Sequence, residues 1–173
     1  MKKIVLLFIG SILLMSCGGD KKTNNSEASI VENENNDKYI IDIEGVFEKN
    51  DSLVVFYQRE NYFNYDDPIS VKIIGSPVMQ KTSINLPEGI VVENVKITIS
   101  TNKEQGSLTI KNISIKNNKL LVVDGDNGKH SEYFSTDESF SWDDVKSRYI
   151  LNHDKKYPPS LIGKETLISL LVK

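Results

Sequence analysis

From residue 39 onward, apolar and polar residues alternate along much of the chain. Val95, Ile97 and Ile99 fall on one side of an extended segment, with Lys96, Thr98 and Ser100 on the other. This period of two is the code of a half-buried strand. Leu108 and Ile110 continue the code, as do Ile113 and Ile115, but the parity changes between the two pairs. One extra residue at Lys111-Asn112 accounts for the change and predicts a β-bulge. Further strands are predicted over Tyr39–Glu48, Leu53–Gln58, Ser70–Ile74, Thr82–Leu86 and Leu120–Asp124. The breakers between them are Lys49-Asn50-Asp51, Asn102-Lys103-Glu104-Gln105-Gly106 and Asn117-Asn118. Short strands recurring every roughly 8–15 residues predict a β-sandwich or barrel. Helix signals are confined to the C-terminal region. Ser141 with Asp144 predicts a capped turn running to Tyr149, and Leu167, Leu170 and Leu171 recur at helical spacing.

Composition sharpens this. Of 173 residues, one is Ala (Ala28), against 20 Ile and 14 Val, so a helical bundle is excluded on propensity. The net charge is −3 and Arg occurs twice, at Arg59 and Arg148. That balance argues against a nucleic-acid partner, which would demand a basic face.

The first residues look like an address. Met1-Lys2-Lys3 is a short basic start, and Ile4 to Met15 is apolar apart from Gly10 and Ser11. The stretch is too short for a spanning helix and reads as a signal peptide over 1–16. Leu14-Met15-Ser16-Cys17 resembles a bacterial lipobox, which implies cleavage before Cys17 and acylation of its thiol. An ordinary secretory leader that ends beside a Cys is the plainer alternative. Cleavage removes Lys2 and Lys3, leaving 19 basic against 24 acidic residues and a net charge of −5. Cys17 is the only cysteine, so acylation leaves no thiol for a disulfide or metal. Gly18 stands where an Asp would resemble the inner-membrane retention signal of Gram-negative bacteria. The expected location is therefore the outer membrane, lipid-anchored. Residues 17–37 are expected to form the lipidated Cys and a tether, rich in Asn, Ser, Gly and charge and unable to bury a core. Its root-mean-square reach is about 25 Å. The sandwich domain is expected over 38–173.

The run IDIEGVFEKNDSLVVFY, followed by VKIIGS, INLPEG and VKITISTNKEQGSLTIKNISIKNNKLLVV, resembles a lectin-type jelly roll. Carbohydrate-binding and galactose-binding-like modules have a similar rhythm, and so do small outer-membrane lipoproteins of Bacteroidota. The resemblance implies an all-β, jelly-roll sandwich with at most one or two short helices near the C-terminus, and a glycan ligand. It carries no sugar-contacting residue, and the architecture also hosts protein binders.

The candidate site comes from the aromatics, which are clumped. Phe56, Tyr57, Tyr62, Phe63 and Tyr65 form one group; Tyr133, Phe134, Phe140, Trp142 and Tyr149 form another. Exposed rings offer a sugar or a protein a flat apolar face with a polar edge. Tyr57, Arg59, Tyr62, Phe63, Tyr65, Asp66 and Trp142 are the candidate ligand-binding residues, since rings interleave there with Asn, Asp and Arg. The competing expectation is that Phe56, Phe63, Phe134 and Trp142 plug the ends of the sandwich, with only the tyrosines partly wet.

Other signals are local. Asp124, Asp126 and Asn127 place oxygens at calcium-loop spacing, but Gly128 and Ser135 stand where an EF-hand has its later ligands, so a plain tight turn competes. A structural calcium is the one cofactor this pattern offers. Asp51-Ser52-Leu53 resembles a Bacteroidota O-glycosylation signal, placing Ser52 at an expected hairpin tip; an unmodified turn is the alternative. His130 and His153 sit in polar, loop-like sequence with no metal-spaced partner, and no nucleophile elbow or phosphate loop occurs. No catalytic residue is assigned, although a two-carboxylate hydrolase stays open as a third reading. The expectation is a lipid-anchored, non-catalytic binding module for polysaccharide, the rival being a subunit that binds another envelope protein.

Overall fold

The alternating segments become strands because each can bury one face. The computed structural model describes residues 36–172, all within one compact unit. Cys17, the 1–16 leader and nearly all of the expected tether lie outside the described residues. The strands are β1 (Tyr39–Phe47), β2 (Asp51–Arg59), β3 (Tyr62–Phe63), β4 (Ile69–Ile73), β5 (Ser76–Asn85), β6 (Asn94–Thr98), β7 (Ser107–Asn117) and β8 (Leu120–Asp124). After a 3-10 turn at Asp126–Gly128 come α1 (His130–Tyr133), β9 (Phe134–Thr136), β10 (Phe140–Asp143), β11 (Arg148–Leu151), β12 (Ser160–Gly163) and α2 (Glu165–Leu171). Among the described residues no helix is long and apolar enough to cross a membrane.

The strands form an all-β sandwich of two antiparallel sheets, six strands in each. In the first, β1 lies between β5 and β7, while β8 and β11 share the far edge of β7 and β10 adds to β11. In the second, β2, β6, β12 and β9 run side by side, and β3 and β4 share the outer edge of β2. The chain passes from one sheet to the other after β1, β4, β5, β6, β8, β9 and β11, so the core is built from long-range partners. Ile41, Ile43, Phe47, Ile113 and Ile115 meet Leu53, Val55, Val95, Ile97 and Ile99 there, all buried. Each large apolar side chain so buried contributes about 1.5–3 kcal/mol before entropy is counted.

The parity change in β7 is the expected bulge. Glu44 of β1 faces Asn112 and Gly45 faces Ile110, leaving Lys111 without a partner position. Ile110 and Ile113 can therefore both point inward. Gly45 lies opposite the bulge, where a Cβ would approach the Thr109 carbonyl oxygen to 2.5 Å, so only glycine fits without a backbone shift.

One helix is found and one is not. Leu167 and Leu171 bury one face of α2, as their spacing predicts. The helix expected from Ser141 to Tyr149 is instead the β10–β11 hairpin, with Trp142 opposite Tyr149. Asp143, not Ser141, makes the local cap, accepting the Val145 and Lys146 N–H groups at 3.1 Å in the turn. Phe140 and Trp142 pack edge-on against Tyr149 at 5.5 and 5.0 Å. Together with pairing onto β7, these contacts outweigh a two-turn helix, which is marginal by itself. Ser52 is also displaced from its expected place. It lies inside β2, half-buried and opposite Lys72 of β4, with the β1–β2 turn ending before it.

On the outer face of the first sheet, Asp42 of β1 is 4% exposed. It accepts hydrogen bonds from Ser83 Oγ at 2.6 Å and Lys116 Nζ at 2.9 Å, and pairs with Lys81 Nζ at 3.0 Å. Burial pushes this carboxyl up, but the three donors outweigh it and hold it at about 2, below the ordinary 3.8. A depressed carboxylate contributes stability that is complete above pH 4 and fades as pH falls through about 2. The contribution is about 2 kcal/mol at most, because both lysines are partly solvated. Asp42→Asn is therefore expected to lower urea-unfolding stability at pH 7, with the gap to the parent closing toward pH 2. An equal gap at both pH values would show that Asp42 acts through shape and not charge.

Candidate functional site

At its C-terminal end β2 turns tightly through Glu60 and Asn61, both with left-handed φ, at 54° and 67°. Two such residues form the turn whose twist matches a two-residue hairpin. Asn tolerates this conformation, while Glu needs help. Glu93 supplies it, its two carboxylate oxygens accepting the Glu60 and Asn61 N–H groups at 2.9 and 2.8 Å. Arg59 folds onto Glu60, donating from Nε at 3.1 Å and from the terminal guanidinium nitrogen at 2.9 Å. β3 then pairs back, with Tyr62 opposite Arg59 and Phe63 opposite Gln58.

The following residues fold over the sheet. Asn64 donates its backbone N–H to the Tyr57 carbonyl at 3.0 Å and its Nδ2 to the Tyr57 hydroxyl at 3.3 Å. Tyr65 lays its ring against Phe56 and Phe63 at 5.2 and 5.9 Å. Lys96 caps the pair, its ammonium 5.2 Å from the centre of the Tyr65 ring and 5.4 Å from that of Phe56. These contacts enclose an open recess of about 490 Å³ lined by Tyr57, Arg59, Glu60, Tyr62, Phe63, Asn64, Tyr65 and Asp66.

Six of the seven candidate residues thus converge: Tyr57, Arg59, Tyr62, Phe63, Tyr65 and Asp66. Their roles differ. Tyr57 is buried and presents its hydroxyl near Asn64, whereas Tyr62 and Tyr65 are 79% and 56% exposed. Phe63 is half-buried between those extremes. Trp142 does not join them. It lies on β10 in the other sheet, half-exposed against Tyr149, so the second aromatic group is separate from the first. Nor does Trp142 plug the sandwich; of the four residues expected to do so, Phe134 is the one fully buried. Rings with a hydroxyl edge, an amide, a carboxylate and a guanidinium already paired to Glu60 suit a neutral, hydroxyl-rich ligand.

The remaining candidates serve local structure. Asp124 Oδ1 accepts the Asp126 N–H at 3.2 Å, and Asp126 accepts from the Asn127 amide at 3.3 Å. Asn127 takes left-handed φ inside the 3-10 turn. Among the described residues no group of three His, Cys, Asp or Glu is placed to hold a metal, so the tight turn is the reading these contacts support. His130 corrects its expectation, being buried and not in a wet loop. Its Nε2 lies 3.0 Å from the Tyr149 hydroxyl, and burial pushes its pKa below the ordinary 6.5 while raising that of Tyr149. His153 is half-buried, with Nε2 3.0 Å from the Gln105 carbonyl.

No family model, curated protein or solved structure matches the chain. Its chemistry is therefore read from the geometry of its own recesses.

One of these was missed in the sequence. At the N-terminal end of β2 a larger recess of about 750 Å³ is walled by the segments at 50–52, 72–74 and 101–103, with Tyr157. The segments are far apart in the chain, and no local pattern links them. The sole sequence signal was Tyr157 ahead of Pro158-Pro159, a rigid setting for a loop aromatic.

Proposed function

We propose that this chain is a lipid-anchored, non-catalytic binding module of the outer membrane whose ligand is a glycan held in the 57–66 recess. The observation that carries the reading is the exposure of Tyr62 and Tyr65 beside Arg59, Asn64 and Asp66, on a hairpin pinned by Glu93. A platform held in place before binding loses little entropy on binding. Anchoring rests on the basic start, the apolar stretch and the lipobox-like Leu14-Met15-Ser16-Cys17.

The test is a thermal-shift screen of the full chain against neutral polysaccharides. A ligand at 100 times its Kd adds about 2.7 kcal/mol to stability, an easily visible shift. Tyr62→Ala and Tyr65→Ala are each expected to weaken binding at least about tenfold, or about 1.4 kcal/mol. Tyr62→Ala should leave the unliganded Tm unchanged, whereas Tyr65→Ala also gives up the packing on Phe56 and Phe63. A flat screen, or full binding by both variants, would remove the glycan reading.

A second reading, a subunit that docks on another envelope protein, has its own observation. Leu120, Leu121, Val91 and Val172 are exposed around a groove backed by Tyr39, Leu170 and Leu171. Loss of a native cross-link on Leu120→Ser, with the tyrosine variants unaffected, would favour it.

A further inference from the structure

The second recess differs in charge from the first. In the 57–66 recess Arg59 is neutralised by Glu60 and Asp66 adds a further negative charge. In the larger recess the charged groups are Lys72, Lys103 and Asp51. Asp51 is buried and already accepts from the Ser52 N–H, Ser100 Oγ and Thr101 N–H at 2.7, 2.5 and 2.7 Å. Neither lysine has a carboxylate partner among the described residues. Lys103 is nonetheless held: its ammonium sits 4.9 Å from the centre of the Tyr157 ring. That ring is itself anchored through a hydroxyl bond to the Thr101 carbonyl and edge contact with His153 at 5.6 Å. Lys72 projects from β4 opposite Ser52, whose hydroxyl has no partner among the described residues. Lys49, Lys155 and Lys156 adjoin the lining segments and likewise have no carboxylate partner among the described residues, while Glu104 and Asp154 stand outside the lining.

We propose that this recess binds a carboxylated saccharide, a uronate-type unit of an acidic polysaccharide. The two ammonium groups, both exposed, meet the carboxylate through a salt-screened attraction that steers and orients it. Ser52 and the Nδ2 of Asn50, which has no partner among the described residues, meet hydroxyls, and the exposed side chain of Ile74 meets the C–H face of the ring. This mixture of fixed charge, hydroxyl and shallow apolar floor fits a sugar acid better than an acidic peptide, whose backbone would need a row of strand partners.

The site is independent of the 57–66 recess and is tested with a different probe. Calorimetric titration of the full chain with an oligogalacturonate is expected to show binding that weakens between 50 and 500 mM salt, as it does for any exposed charge pairing at about a Debye length. The double variant Lys72→Gln, Lys103→Gln is expected to lose at least tenfold in affinity with an unchanged Tm. Tyr62→Ala is expected to leave it intact. The fully methyl-esterified oligomer, the same sugar without charge, is expected not to bind. No binding by the parent chain overturns the proposal, as does full affinity in the double variant. Equal binding of the methyl ester, or of an oligoglutamate of matched charge, overturns it too. A loss caused by Tyr62→Ala alone would place the ligand in the first recess and leave this one without a role.

Discussion

Phe47→Ala is expected to lower the unfolding free energy by about 3–5 kcal/mol. Phe47 is the last residue of β1 and is 1% exposed. Its strand is bracketed on both sides, Phe47 standing opposite Leu108 of β7 and Ser76 of β5. A ring removed from the edge of a domain lets neighbours slump into the space. Here two hydrogen-bonded strands hold the walls apart, so the cavity stays open and its lining loses contact outright. Domains are stable by only about 5–15 kcal/mol in total, so the loss is a large share. Urea unfolding should show a lower midpoint with an unchanged slope, and Phe47→Leu should recover more than half of the loss. A drop below about 1 kcal/mol would mean that the core repacks around the missing ring.

Asp51→Ala is expected to cost about 3 kcal/mol, or roughly 10 °C in Tm. One buried carboxylate ties the start of β2 to the loop after β6. It accepts from the Ser52 and Thr101 N–H groups and Ser100 Oγ, with Thr101 Oγ1 a fourth donor at 3.2 Å. Alanine leaves these donors facing an apolar methyl, and unmet buried donors cost more than the bonds had contributed. Asp51→Asn keeps the shape and one acceptor, and should lose less than half as much. The same latch forms a wall of the lysine recess, so any affinity for oligogalacturonate should fall with Asp51→Ala even at temperatures where the domain stays folded. A Tm within 2 °C of the parent would show that water meets these donors as well as Asp51 does.

How far each feature could be read in the sequence followed how local its cause was. The bulge at Lys111 was legible because a change of parity in β7 is visible between Leu108 and Ile115, whatever lies across the sheet. The 57–66 recess was legible for the same reason. One hairpin carries nearly all of it, and the rings and polar groups that line it are neighbours in the chain. Trp142 was grouped with them by composition alone, and the topology put it on the other sheet. Ser141–Tyr149 shows the limit from the other side. Its capping pattern fits a short helix, but a short helix is worth little in water, and Phe140 and Trp142 gain more by packing on Tyr149 across a hairpin.

Alternation over β1, β2, β6 and β7 thus determined by itself that the chain forms sheets with one buried face, because a period of two leaves an extended strand no other way to bury its apolar side. The clumping of aromatic residues at 56–65 marked the segment that lines the first recess, while its folding back as a hairpin came from the β2–β3 pairing. The pairing of the strands was decided only in three dimensions, since β1 lies beside β5 and β7 and not beside β2. The lysine recess was decided there too, because loops distant in sequence meet at one end of the sandwich. Such contacts depend on which strands become neighbours, and that is settled by the joint packing of two sheets around one core.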